Sequence, residues 1–469
     1  MNPATIPGTI DVTCFNGIPV GVLGLAKSGL AAAQALERGG AAVMAWDDNA
    51  TRRDAAAAAG IPIVDLRSAD LGEMPSLVLS PGIPHTHPAP HPVVARARAA
   101  GAEIIGDIEL LARTQRDAAY IGITGTNGKS TTTALIGHIL ALAGRKIAVG
   151  GNLGTPALSL EPLGSGALYV LEMSSYQLEL TFSVAFDVAV LLNITPDHLN
   201  RHGGMDGYVA AKKLVFHRQT RPRAAVIGVD DAISAAIHRD LAASGEQIVV
   251  PISAERAVSG GVYAAGGWLV DDMAGEAAPV VEMAGLARLP GTHNWQNAAA
   301  AYAATRHIGV SREVVTASLH SFPGLAHRQE LIATIDGVRY VNDSKATNAD
   351  ASAKALACYE AIYWIAGGLA KEGGIVSLSP YHGRIRHAFL IGEAAPAFAD
   401  TLGSKVPHSR CGELAAAVTA AHDLARQEGR DGAVVLLSPA AASFDQFANF
   451  EARGDTFRRL VEALPGRRA

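Results

Sequence analysis

Cysteine is scarce in this chain. Cys14, Cys358 and Cys411 are the only ones in 469 residues, and none stands in C-x-x-C spacing. That leaves no disulfide framework and suits a reducing compartment, with the thiols read as buried structural groups. Uninterrupted apolar runs are short, none approaching the ~18 residues that a spanning helix needs. An excess of positive charge is also missing: the net charge is −5, so no broad basic surface argues for nucleic acid, and any anion site must be local. The opening Met1-Asn-Pro-Ala-Thr-Ile-Pro7 has neither a charged n-region nor an apolar h-region, so a cytoplasmic protein is the expectation. A hydrophobic content of 49% with 18% charged residues excludes a disordered chain.

The length exceeds what one core can fill, and several domains are expected. Apolar strand-like runs alternate with alanine-rich helical runs almost throughout, which is the pattern of parallel sheets covered by helices. Pro19 to Gly24, Ala42 to Trp46, Ile61 to Val64 and Leu77 to Ser80 read as strands of a first part. A second part opens at Ala118 to Ile123 and continues through strands at Ala167 to Met173, Val188 to Ile194, Ala224 to Val229 and Ile248 to Ile252. Gly261 to Asp272, alternating around Gly266-Gly267, reads as a β-hairpin. A third part repeats the alternation, with strands at Ala361 to Ala366, Ala388 to Ile391 and Ala433 to Ser438. The fold class is therefore α/β, in three domains.

The most informative segment is Ile121-Gly-Ile-Thr-Gly-Thr-Asn-Gly-Lys-Ser-Thr131, where a strand breaks into a glycine-rich turn and a helix follows. Such a turn and the new helix terminus present N–H groups to a phosphate. Lys129 can add a full charge near the terminal phosphates, and Ser130 or Thr131 can offer a hydroxyl to Mg²⁺. Ile123 stands where the longer G-x-x-x-x-G-K-[ST] loop has its first glycine, so Gly125, Thr126, Asn127, Gly128, Lys129, Ser130 and Thr131 form a shorter version. A glycine-capped helix with an exposed lysine is the plainer alternative. The ordered strand, turn, Lys-Ser-Thr and helix favour phosphate.

Other clusters are open to two readings each. Gly21-Val-Leu-Gly24-Leu-Ala-Lys-Ser-Gly29 follows a strand and imitates a dinucleotide fingerprint imperfectly, with Asp47 and Asp48 near the end of the next strand. It is either a βαβ turn or a diphosphate site. Glu172 ends a strand and could meet Mg²⁺ or simply be a strand-end carboxylate. His198, in Asn193-Ile-Thr-Pro-Asp-His198, is a solvated loop residue unless the neighbouring strand ends make it a metal ligand. Lys212-Lys213 in a helix reads first as a solvated face. Asn294 and Asn297, three apart at a helix start, can bond an adenine edge or cap the helix. In the third part, Arg328, Asp343, Lys345 and Thr347 gather cations, a carboxylate and a hydroxyl near a strand end. Lys371 and Ser443 follow two further strands, and the set suggests a substrate crevice.

Taken together these segments resemble the Mur ligases of bacterial cell-wall synthesis, along the whole chain. Gly125 to Thr131 is common to that family and to folylpolyglutamate synthases. Asn342-Asp-Ser-Lys-Ala-Thr-Asn348 and Ser438-Pro-Ala-Ala-Ala-Ser-Phe-Asp-Gln-Phe447 are similar to the branch that adds D-glutamate. The resemblance implies a Rossmann-like UDP-binding domain over residues 1–107, a P-loop ATPase-like domain over 108–324 and a Rossmann-like amino-acid-binding domain over 325–469. It implies ATP, UDP-N-acetylmuramoyl-L-alanine and D-glutamate as partners, reacting through an acyl phosphate. Two Mg²⁺ ions would be approached by Ser130, Glu172, His198 and Lys212, with Lys212 carbamylated. Lys129, His198, Lys212 and Lys345 would be catalytic. Asn294, Asn297, Arg328 and Asp343 would join the phosphate loop around the nucleotide. Ser28, Asp47 and Asn152 would face the sugar-linked substrate, and Thr347, Lys371, Ser443 and Phe450 the D-glutamate. Because the second and third domains would each hold part of the site, closure on binding ATP and substrate is expected, with a hinge around Pro323-Gly324. A monomer without a membrane span is expected.

Rival readings are weaker. A relative adding another amino acid lacks support from Asn342 to Asn348, and a folylpolyglutamate synthase lacks a comparable UDP domain. A nucleotide-binding regulator leaves Lys129, Glu172, His198, Lys212 and Lys345 without work. A dinucleotide-dependent oxidoreductase leaves the phosphate loop unexplained.

Overall fold

A computed structural model describes residues 9–152, 154–286 and 288–468. The chain's contacts divide it into two units, one running to Met283 and including Trp295–Ser321, the other comprising Ala284–Asn294 and the chain from Phe322 onward. Among the described residues the strands form three sheets, two in the first unit and one in the second.

The first sheet is built from β1 (Pro19–Leu23), α1 (Lys27–Arg38), β2 (Ala42–Trp46), α2 (Ala50–Ala58), β3 (Ser76–Leu79), α3 (Pro92–Ala99) and β4 (Glu103–Ile105), and α4 (Asp107–Thr114) follows it. Its strands are parallel in the order β2-β1-β3-β4. The loops after β1, β2 and β3 therefore adjoin at one edge. The expected strand at Ile61 to Val64 is only a single bridge between Ile63 and Ala45. Pro62 has no N–H to donate to a ladder, so pairing there cannot propagate.

The central sheet comprises β5 (Ala119–Thr124), α5 (Lys129–Leu142), β6 (Ile147–Gly151), β7 (Leu168–Glu172), α6 (Ser175–Leu178), β8 (Val188–Leu191), α7 (Leu199–His202), α8 (Met205–Lys213), β9 (Ala224–Gly228), α9 (Ala232–Ser244) and β10 (Ile248–Ser253). It ends in β11 (Val262–Ala265), β12 (Trp268–Asp271) and β13 (Ala278–Glu282). Leu168 to Glu172 and Val188 to Leu191 are buried throughout, as strands covered by helices on both faces must be. The order β13-β12-β11-β10-β9-β8-β5-β7-β6 seats β5 between β7 and β8. That neighbourhood brings the phosphate loop, Glu172 and the loop bearing His198 to one edge. The expected hairpin is the antiparallel β11–β12 pair. The helix α10 (Thr292–His307) presents Ala298 to Ala301, all buried, so its backbone can pack closely; α11 (Arg312–Ser321) follows.

The last sheet carries β14 (Glu330–Ile335), β15 (Val338–Asn342), α12 (Ala349–Leu356), β16 (Ala361–Gly367), β17 (Ile385–Ile391), α13 (Ala395–Leu402), β18 (His408–Gly412), α14 (Leu414–Glu428), β19 (Ala433–Leu437) and α15 (Phe450–Glu462). The order β14-β15-β19-β16-β17-β18 is parallel except for β14 against β15. With β19 between β15 and β16, the turns after these three strands meet. Asn348 and Asn449 cap α12 and α15 by accepting from Ala351 N–H and Ala452 N–H at 2.8 and 2.7 Å.

Candidate active site

In the central sheet the backbone of the phosphate loop needs glycine. Gly125 and Gly128 have φ of +149° and +85°, and a Cβ on Gly128 would stand 2.3 Å from Asn297 Oδ1. That oxygen also accepts from the Thr132 hydroxyl at 3.2 Å, so it is not free to move aside. Gly128→Ala should thus weaken nucleotide binding by about tenfold, equivalent to ~1.4 kcal/mol, measured by calorimetric titration. Lys129 Nζ donates to the Gly125 and Thr126 carbonyls, both at 2.8 Å. Asn193 Oδ1 accepts from the Asn127 N–H at 2.9 Å, and Thr126 Oγ1 lies 3.0 Å from Tyr208 Oη. Ser130 is buried and Thr131 half-buried at the start of α5.

Two strand ends flank this loop. Glu172 is buried; its Oε1 accepts from Asn152 Nδ2 at 2.6 Å, while its Oε2 has no hydrogen-bond partner among the described residues. A buried carboxylate oxygen left over in this way calls for a cation or water. His198 is half exposed and sits at φ +51°, an uncommon conformation for a side-chain-bearing residue. Among the described residues no three His, Cys, Asp or Glu side chains are grouped to hold a metal. The donor chemistry at Glu172, Ser130 and His198 still fits a hard cation that completes its shell with phosphate oxygens or water.

Lys212 corrects the plainer reading of the Lys212-Lys213 pair. Lys213 is exposed, whereas Lys212 is buried and donates to the Gly125 carbonyl at 2.8 Å. Burial, and next the Lys129 charge, hold its ammonium well below the usual lysine range, with Asp197 and Glu172 opposing. Tyr208, one turn earlier on α8, lies under the ammonium with its ring centroid 4.8 Å away.

At the first sheet, Asp47 is buried and its carboxylate closes the β1 turn, accepting from Leu25 N–H at 2.7 Å and Asn49 N–H at 2.8 Å. Gly29 is obligatory, since a Cβ there would fall 1.7 Å from the Gly24 carbonyl oxygen. Ser28 stands half-buried in the first turn of α1. Asn297 reaches the phosphate loop, and Asn294 donates its amide to the Pro290 carbonyl at 2.6 Å.

In the second unit the turns after β15, β16 and β19 converge as their order requires. The Lys345 ammonium lies 3.8 Å from the Phe450 ring centroid, joining two residues expected to act apart. Asp343 accepts from the Ser438 hydroxyl at 2.8 Å and from Gln329 N–H at 3.2 Å. Burial pushes its carboxyl up to about 7, against the pull of these bonds and of Arg328. A raised carboxyl stabilises the fold fully below the unfolded value near 3.8 and loses that contribution as pH rises through about 7. Thermal melts should show this decline between about pH 4 and 7 and its flattening in Asp343→Asn. Thr347 and Arg328 are half-buried, Ser443 is buried, and Lys371 is exposed.

With this geometry in view, residues 123–305 match the Mur ligase middle domain. The chain is 56% identical over 460 residues to UDP-N-acetylmuramoylalanine–D-glutamate ligase of Rhodospirillum rubrum, covering 97% of this chain and 96% of that protein. The chain belongs to the Mur ligase family. The same-named ligase of Phenylobacterium zucineum is 54% identical, with 97% and 98% coverage. Among solved structures, the UDP-N-acetylmuramate–alanine ligase MurC of Thermotoga maritima shares the fold at a TM-score of 0.57 and 16% identity, covering 95% of this chain and 98% of that one. MurF of Acinetobacter baumannii does so at 0.56 and 21%, covering 79% and 87%.

This Mur ligase also uses residues that motif reading passed over. Tyr208 was readable as the helical i−4 neighbour of Lys212. Arg453, wholly buried, carries no such signal. Its guanidinium donates to Ser344 Oγ and the Ser344 carbonyl, each at 3.0 Å, and to the Ala441 carbonyl at 3.1 Å. It thereby ties the turn after β15 to the turn after β19. Burial lowers it to about 10, with Asp445 opposing. Arg453→Met should cost about 2–4 kcal/mol by stranding these acceptors, read from denaturant unfolding.

Proposed function

We infer that this Mur ligase joins D-glutamate to UDP-N-acetylmuramoyl-L-alanine at the expense of ATP, a step of peptidoglycan precursor synthesis. The observation that carries the reading is 54–56% identity, over nearly the full length of both chains, to ligases of that name. A carboxylate oxygen of the substrate attacks the γ-phosphorus and ADP leaves. The D-glutamate amine then attacks the acyl carbon, loses its proton, and phosphate departs with the oxygen that had been the carboxylate's.

The parts proposed for the residues are those that the family resemblance implies. Lys129 neutralises the transferring phosphoryl oxygens, and the loop N–H groups hold the remaining phosphates. Ser130, Glu172 and His198 would hold Mg²⁺, which would supply charge neutralisation to the phosphate oxygens. Lys212, kept from its charged form, is suited to add CO₂ through its neutral amine and become an anionic carbamate. Asn152 orients Glu172 and the sugar-linked substrate. Ser28 and Asp47 serve the UDP end. Asn294, Asn297, Arg328, Asp343 and Lys345 serve the nucleotide, and Thr347, Lys371, Ser443 and Phe450 serve D-glutamate. The domain limits proposed are 1–107, 108–324 and 325–469. A cytoplasmic monomer suits these substrates, and no helix among the described residues is long and apolar enough to cross a membrane.

Phosphate release measured across a panel of amino acids with UDP-N-acetylmuramoyl-L-alanine tests the assignment. D-glutamate should be the only efficient acceptor. Equal turnover with a diamino acid or L-alanine would refute it.

A further inference from the structure

Behind the Glu172 and His198 side chains lies a buried polar cluster to which none of the steps above assigns a part. The His202 side chain is fully enclosed. Its Nε2 is 2.9 Å from Ser175 Oγ, and its Nδ1 is 3.2 Å from Glu179 Oε1. A carboxylate only accepts, so Nδ1 carries the ring proton and Nε2 accepts the Ser175 hydroxyl proton. Ser175 opens α6 and Glu179 closes it, whereas His202 closes α7. One imidazole thus ties both ends of α6 to α7. The start of α6 is three residues beyond Glu172, and the residue capping the start of α7 is His198. The ring of Tyr176 completes the brace, its centroid 5.3 Å from those of His198 and His202.

The same cluster reaches the loop after β3. Glu179 Oε2 lies 3.1 Å from His85 Nε2, and Arg201 Nη1 donates to the Gly82 carbonyl at 2.7 Å. Gly203, which ends α7, lies so close to His87 that a Cβ would meet its Nε2 at 2.7 Å. Gly82 belongs to the Ser80-Pro-Gly-Ile-Pro84 turn, beside the glycine turn after β1, at the edge read as the UDP site.

We propose that His202 is a positioning residue of the ligase: its imidazole fixes the spacing of Glu172 and His198, and Glu179 extends the same brace to the loop at the sugar-nucleotide site. The inference rests on the functional reading above. Groups that only orient metal-binding side chains commonly control metal affinity by ten- to a hundredfold. A ring locked at both nitrogens meets that description, because it can neither rotate nor shift without losing a buried bond.

The test is His202→Phe, which keeps a ring against Tyr176 and Tyr208 but removes both hydrogen bonds. Mn²⁺ binding is followed by electron paramagnetic resonance on full-length enzyme with a non-hydrolysable ATP analogue, so that no turnover is needed. Mn²⁺ affinity should fall about tenfold. In assays the KM for the sugar nucleotide should rise several-fold while that for D-glutamate stays within about twofold. A lower melting temperature with unchanged Mn²⁺ affinity and unchanged sugar-nucleotide KM would overturn the proposal. Should that variant not fold, Glu179→Gln is read in the same way. Wild-type enzyme that binds Mn²⁺ and nucleotide yet never incorporates D-glutamate would fail the functional reading alone.

Discussion

Lys129→Ala should lower kcat by about 10²–10³, the scale for removing one preorganised charge-stabilising group from a transition state. The loop itself should survive, because its shape is held by Gly125, Gly128 and the Asn127 to Asn193 bond, none of which needs the lysine. The ammonium donates to two loop carbonyls, so it is anchored at the loop mouth where the terminal phosphates would arrive. Nucleotide affinity, measured separately by calorimetry, should therefore fall much less than kcat. An equal loss in both would mean that the lysine only binds.

Lys212→Met should abolish turnover and yet raise the melting temperature by several degrees. Burial and the Lys129 charge disfavour the ammonium form in the folded chain. A lysine whose folded value is depressed binds fewer protons than in the unfolded chain. It therefore subtracts stability at every pH below its unfolded value near 10.5, and most at low pH. A methionine of similar length removes that cost. The Gly125 carbonyl still has the Lys129 ammonium as a partner, and the Thr124 hydroxyl, 3.5 Å from Lys212 Nζ, keeps its bond to the Met173 carbonyl, so the exchange costs little hydrogen bonding. Differential scanning calorimetry together with a phosphate-release assay reads both effects. The gap between variant and wild type should narrow as pH rises through about 10.5, above which the wild-type amine is neutral in both states. Loss of activity with a loss of stability would show that the amine holds the fold rather than serving the reaction.

The phosphate loop was legible because a strand, two glycines with positive φ, a lysine and a helix must follow one another in sequence. The edge where it meets Glu172 and His198 was legible only as three strand ends. Strand order, with β5 between β7 and β8, made them neighbours. Lys212 looked like one of a solvated pair, since a helix period cannot tell which of two adjacent residues faces inward. Its burial depends on α8 packing beneath the loop, a long-range fact. Ile61 to Val64 read as a strand on apolar content, but the missing N–H of Pro62 outweighed it. Arg453 and His202 escaped notice for a related reason. Each is an ordinary helix residue by sequence, and its partners lie between 11 and 109 residues away for Arg453 and 23 and 27 for His202.

The central claim is that the substrate carboxylate is phosphorylated before the amine arrives. UDP-N-acetylmuramoyl-L-alanine labelled with oxygen-18 in its free carboxyl group tests it most directly. After turnover with ATP and D-glutamate, mass spectrometry of the released orthophosphate should find one labelled oxygen per molecule. Orthophosphate free of label, with amide product formed at the normal rate, would contradict the account.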